Sequence, residues 1–144
     1  LGVEHRTTVD IDVAGPDEAD MEQMLALMEI AEEIGLPVET INQAGSHFLR
    51  LVEGWAAHRV LLHEGPSAKL FVPDATLFLL LKLRRLSEAD LVDCREMLAL
   101  ARRRSEPVDV QRVRGACEAA LATTDSSQRR KRIQSLLGAL EREA

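Results

Sequence analysis

The segment HRTTVDIDV, His5 to Val13, alternates with the period of a β-strand, and its reading decides the fold. Val9, Ile11 and Val13 fall on one face, all of them β-branched; Arg6, Thr8, Asp10 and Asp12 fall on the other. Aspartate is a poor strand former, so this stretch breaks a local rule twice, and such breaks gather at functional sites. Residues two apart on a strand project from the same face, roughly 6–7 Å apart at the backbone. Carboxylates so placed can converge on a divalent cation, and a hard cation such as Mg²⁺ takes carboxylate and phosphate oxygens. The plain alternative is a solvated strand face that carries two acids.

Working outward, Gly15-Pro16 ends the strand, and Asp17, Glu18 and Asp20 suit the first turn of a helix, where the dipole favours negative charge. Met21, Met24, Leu25, Met28, Ile30, Ala31 and Ile34 recur at helical spacing until Gly35 and Pro37 stop the pattern. The stretch ETINQAGSHFLRLVEG, 39–54, reads as a short helix broken at Gly45. HRVLLHE (58–64) and AKLFV (68–72) flank Gly65-Pro66-Ser67 and read as a β-hairpin with a loop of about three or four residues. After Pro73 the period is helical to the end, and helices are expected near 74–85, 88–104, 109–122 and 126–143. Ser87, Ser105 to Pro107, Asp109 and TTDSS (123–127) mark their boundaries. The expected fold class is α+β, a small mixed sheet in 1–73 followed by a helical bundle in 74–144 packed on it.

Composition bounds the function. The chain has 144 residues, 46% hydrophobic and 29% charged, which suits a globular protein. Aromatics make up only 3%, which argues against base-stacking platforms for single-stranded nucleic acid. No run of about 18 apolar residues occurs, so a membrane span is not expected. Cys94 and Cys117 read as small buried hydrophobes of a reducing, cytoplasmic protein. The net charge of -6 is uneven: residues 1–100 carry 18 acids against 8 bases, and residues 101–144 carry 6 against 10. Such asymmetry suits either contact with a polyanion or mutual complementarity of the two halves.

Three further features carry chemistry. Lys82 sits inside the apolar run LFLLLKLRRL (77–86), where an ammonium must snorkel outward or find an anion. One such anion is a nucleotide phosphate, which lysine meets as a point charge with rotatable donors. In the next helix Ser87 and Asp90 have capping-box spacing, whereas Asp93 shares a stripe with Met97 and Leu100 and has Lys82 as its natural partner. The last helix begins with the basic run Arg129 to Arg132, which suits RNA phosphates or a solvated face. His5, His47, His58 and His63 lack zinc-ligand spacing.

The order of these elements resembles the nucleotidyltransferase fold, the superfamily of DNA polymerase β and the minimal nucleotidyltransferases. More narrowly, it is similar to bacterial and archaeal nucleotidyltransferase-like toxins of abortive-infection-type toxin–antitoxin pairs. The likeness covers residues 1 to about 100 and rests on Arg6, Thr8, Asp10 and Asp12 in the strand, LPVETIN ending at Asn42, Lys82 in its helix, and Asp90 and Asp93 in the acidic helix. It implies that Asp10 and Asp12 bind Mg²⁺ together with a nucleoside triphosphate, flanked by Arg6 and Thr8. Lys82 and Asp93 would then contact phosphate and handle the acceptor. The implied reaction moves a nucleoside monophosphate to a hydroxyl of an RNA, such as a tRNA, or of a protein, and a cognate antitoxin is an implied partner. The family's Gly-Gly or Gly-Ser phosphate turn precedes the strand, where this chain has only Gly2. The chain opens on Leu1, and the expectation is that its N-terminus, turn included, is missing; otherwise it is a non-catalytic interaction module on the same fold. A third carboxylate is not evident, Glu64 being the strand candidate.

Overall fold

The computed structural model describes residues 11–14, 21–38, 40–66 and 69–142. Arg6, Thr8 and Asp10 lie outside the described residues, as does most of the opening strand. In chain order the elements are β1 (Ile11–Asp12), α1 (Met21–Glu33), β2 (Ile41–Asn42), α2 (Ala44–Arg50), a 3-10 turn (Trp55–His58), β3 (Arg59–Glu64), β4 (Lys69–Pro73), α3 (Ala75–Leu83), α4 (Glu88–Arg104), α5 (Val110–Thr123) and α6 (Ser127–Glu141). The class is α+β and the chain is mostly helical. No helix among the described residues is long and apolar enough to cross a membrane.

The described residues form two compact units that divide between Leu51 and Val52. In the first, β1 and β2 pair in parallel, with Ile11 opposite Ile41 and Asp12 opposite Asn42. A parallel pair requires a crossover, which α1 supplies. Gly35, at φ +74°, lets the chain turn out of that helix.

The second unit begins with the 3-10 turn and hairpin and continues through α3 to α6. The sequence reading joins the hairpin to the N-terminal part; the structure joins it to the helices. The reason is a shared residue. Asp74 N donates to the His58 carbonyl at 2.9 Å, closing the hairpin's foot, while Asp74 Oδ1 accepts from Leu77 N at 2.8 Å and caps α3. The hairpin is antiparallel, with a bulge between Leu61 and His63, and Val60, Leu61, Leu62, Leu70, Phe71 and Val72 are all exposed.

All four helices of this unit start on a side-chain cap. Asp74, Ser87, Asp109 and Ser126 accept from the backbone N–H three residues on. Each such cap is worth about 1 kcal/mol against alanine. Ser87 and Asp90 complete the expected capping box. The core is built from Leu79 and Leu83 of α3, Leu91 and Leu98 of α4, Val113 of α5, and Ile133, Leu136 and Leu140 of α6. Cys94 and Cys117 lie inside it as free thiols, and burial pushes them up to about 12 and about 11. Between α3 and α4 the chain turns at Leu86, whose φ of +42° is unusual for a residue with a Cβ. Leu86 is fully buried, and this turn ends α3 at Leu83 rather than 85.

Candidate functional site

Asp12 is exposed at the end of β1, opposite Asn42 at the end of β2. Immediately after β2 the chain enters α2. The Gln43 carbonyl accepts from Ser46 N at 3.1 Å and from Ser46 Oγ at 2.8 Å, which shapes the first turn. Gly45 lies within that turn, so it does not break the helix as the sequence reading expects. Its role is steric. A Cβ at position 45 would stand 2.9 Å from Asp12 Cβ and 3.1 Å from Asp12 Cγ, closer than packed atoms come. Asp12 is therefore seated against the first turn of α2, and only glycine leaves room for it. Nearby in sequence, Gln43 Oε1 is buried without a hydrogen-bond partner among the described residues, while its Nε2 reaches Gln23 Oε1 at 3.5 Å. No signal in the sequence marked Gly45 or Gln43 beyond their position after LPVETIN.

Among the described residues no group of three His, Cys, Asp or Glu side chains is placed to hold a metal ion. Mg²⁺ asks for less, because it commonly takes one or two carboxylates and fills its other positions with water and substrate oxygens. The exposed Asp12 carboxylate fits that demand, and its expected partner Asp10 lies outside the described residues. Glu64, the strand candidate for a third carboxylate, is exposed on β3 and pairs with Lys69 across the hairpin at 2.6 Å.

In the second unit Lys82 and Asp93 come together as the sequence suggests, with Asp90 and Arg85 added. Lys82 Nζ donates to Asp93 Oδ2 at 2.7 Å and to Asp90 Oδ1 at 3.3 Å, and lies 5.5 Å from the centre of the Phe78 ring. The ammonium has thus found one buried anion and one half-buried one, and its side chain retains 26% exposure. Asp90 is the more deeply placed acid, at 1% exposure. Arg85 donates to both of its oxygens, at 2.8 and 2.9 Å, and Ser87 N and Oγ each reach Oδ2 at 2.8 Å. The Arg85 guanidinium holds the Asp90 carboxyl far below the usual carboxylate range, and Ser87 and Lys82 add to this against the opposing effect of burial. Arg85 is raised in turn by Asp90. Asp90 joins two roles that the sequence reading kept apart, helix cap and ion-pair hub.

The basic start of α6 is engaged within the chain. Arg129 Nη2 donates to the Leu83 and Arg84 carbonyls at 3.2 and 3.0 Å, Arg130 Nη2 to the Thr124 carbonyl at 2.9 Å, and Arg132 Nε to the Leu86 carbonyl. Two of these arginines therefore satisfy carbonyls left open where α3 ends. A cleft between α4 and α6, lined by Glu88, Leu91, Gln128, Lys131, Arg132 and Ser135, carries mixed charge and is spanned by the 3.2 Å Arg132–Glu88 pair.

Comparison of the chain with protein-family models, with curated proteins and with solved structures found no match.

Proposed function

We propose that this chain is a metal-dependent nucleotidyltransferase that moves a nucleoside monophosphate from a nucleoside triphosphate onto a hydroxyl of RNA or protein, as the toxin of a toxin–antitoxin pair. The observation that carries this reading is the placement of Asp12. It stands on a strand paired in parallel with the strand ending at Asn42, and is packed on a glycine in the following helical turn. This is a firm seat for a carboxylate that must stay solvent-accessible. The motif order in the sequence supplies the chemistry.

In the proposed reaction the acceptor oxygen bonds to the α-phosphorus as the bond to pyrophosphate breaks, and the hydroxyl proton passes to solvent. Bound Mg²⁺ supplies neutralisation of charge on the transferring group. Asp12, together with Asp10, would hold the cation. For Lys82 and Asp93 we propose phosphate contact and acceptor handling, on the strength of the family likeness. Their ion pair is complete without a ligand, so a phosphate would compete with Asp93 for the ammonium.

The test is a titration of the natural full-length protein with labelled nucleoside triphosphates, with and without Mg²⁺. Asp12→Ala is expected to weaken Mg²⁺-dependent binding by more than about tenfold, as loss of a charged contact implies, and to abolish transfer while unfolding at an unchanged temperature. Equal binding by both proteins rejects the reading. A second reading, a non-catalytic interaction module, is favoured by the exposed apolar hairpin, Val60 to Leu62 and Leu70 to Val72. Full-length protein that ignores nucleotides with and without Mg²⁺ would establish that alternative.

A further inference from the structure

His58 lies at the foot of the hairpin, between a carboxylate and a guanidinium. Its Nδ1 is 2.8 Å from Asp74 Oδ2, and its Nε2 is 2.9 Å from Arg112 Nη1. Asp74 is an acceptor when ionised, and arginine is only ever a donor. The two contacts are satisfied together in one protonation state alone: neutral imidazole with its hydrogen on Nδ1 and its lone pair on Nε2. The second nitrogen of Arg112, Nη2, donates to the Glu53 carbonyl. One guanidinium therefore ties α5 to both ends of the 53–58 segment.

We propose that His58 is a proton-operated latch, holding Arg112 at the hairpin's foot when neutral and releasing it when protonated. The idea is independent of nucleotide transfer. Protonation places an N–H on Nε2, facing an arginine that has only donors, and sets two cations against each other. The Asp74 arm keeps its hydrogen bond, because Nδ1 donates to that carboxylate in either state, and it gains charge assistance on protonation. Only the α5 arm loses its contact.

The other charged groups around the ring do not substitute for the lost acceptor. Arg59, the next residue, is stacked between Trp55 and Phe71, 5.1 and 4.8 Å from their ring centres, and donates to the Ala56 carbonyl. Asp109, on the α5 side, is spent capping Arg112 N at 2.9 Å. Glu53 contributes its carbonyl. The His58 side chain retains 17% exposure, so protons reach it from solvent.

The experiment is a double-mutant cycle of His58→Phe and Arg112→Met on the full chain, read by denaturant unfolding, beside imidazole ¹⁵N shifts of the unmutated protein. Where the shifts report a neutral ring, they should place its hydrogen on Nδ1 and the lone pair on Nε2. The pair should then be coupled by about five- to tenfold in the unfolding constant. At a pH where the same shifts report the protonated ring, the coupling should fall below about twofold. A purely structural contact would keep its coupling across that change. Equal coupling in both states, the opposite tautomer, or a ring that stays neutral until the protein unfolds would each overturn the latch. Should either variant fail to fold, Arg112→Lys replaces Arg112→Met, and the tautomer measurement decides without any variant.

Discussion

Two helices with similar apolar spacing meet different ends. In α1, Met21, Met24, Leu25, Met28 and Ile30 are all exposed, and Ala31 alone of its residues is buried. In α6, Ile133, Leu136, Ala139 and Leu140 are all buried. Helical spacing describes one face of one element, whereas burial depends on what meets that face. In the second unit four capped helices close a core around their own leucines. Among its described residues the first unit has a two-residue parallel strand pair and two helices, α1 and the seven-residue α2, with less apolar surface to close a core. Specificity therefore comes from packing in one unit and from close backbone fits, such as Gly45 against Asp12, in the other.

The largest effect that sharpens this contrast should come from Leu136→Ala. It removes a fully buried side chain and is expected to lower unfolding free energy by about 3–4 kcal/mol in urea titration. Asp90→Ala follows, at about 2–3 kcal/mol, because it removes a cap and several charge-assisted hydrogen bonds from a side chain that is 1% exposed. Its effect should depend on pH with a definite sign. The folded Asp90 carboxyl lies below its ordinary value, so its stabilisation is complete above about pH 4 to 5 and is lost as pH falls through the folded value. The gap between parent and variant should therefore narrow on acidification. A gap that widens would contradict the assignment.

Smaller effects test the first unit. Gly45→Ala should destabilise it by about 1–2 kcal/mol, since the new methyl meets Asp12 Cβ at 2.9 Å. Amide hydrogen exchange in α2 and β1 would record the loss, with α3 to α6 unchanged. Leu25→Ala should matter least, below about 1 kcal/mol, for a side chain already 52% exposed. A loss matching that of Leu136→Ala would break the comparison and show α1 buried in solution.

The helices after Pro73 were legible because Ser87, Asp109 and Ser126 are local signals: cap and capped N–H are three residues apart. The hairpin was legible from Gly65-Pro66 between two β-branched and apolar runs. Lys82 and Asp93 were legible as a pair, since an ammonium among leucines demands an anion. The depth of Asp90 was not, because its cap role gave a sufficient local explanation. Nor was the use of Arg129 and Arg132, which depends on carbonyls more than 40 residues away. Gly45 was misread for a similar reason: a glycine required by a neighbour in space looks, in sequence, like a glycine that ends a helix.

Leu86 shows how such a compromise limits later change. Glycine would relax its backbone but leave a hole the size of an isobutyl group at the α3–α4 corner. Asparagine, which also tolerates that conformation, would bring an amide into an oily setting. Every substitution that eases the bend empties or wets the space beneath it, so drift at this corner should be confined to side chains of leucine's own bulk.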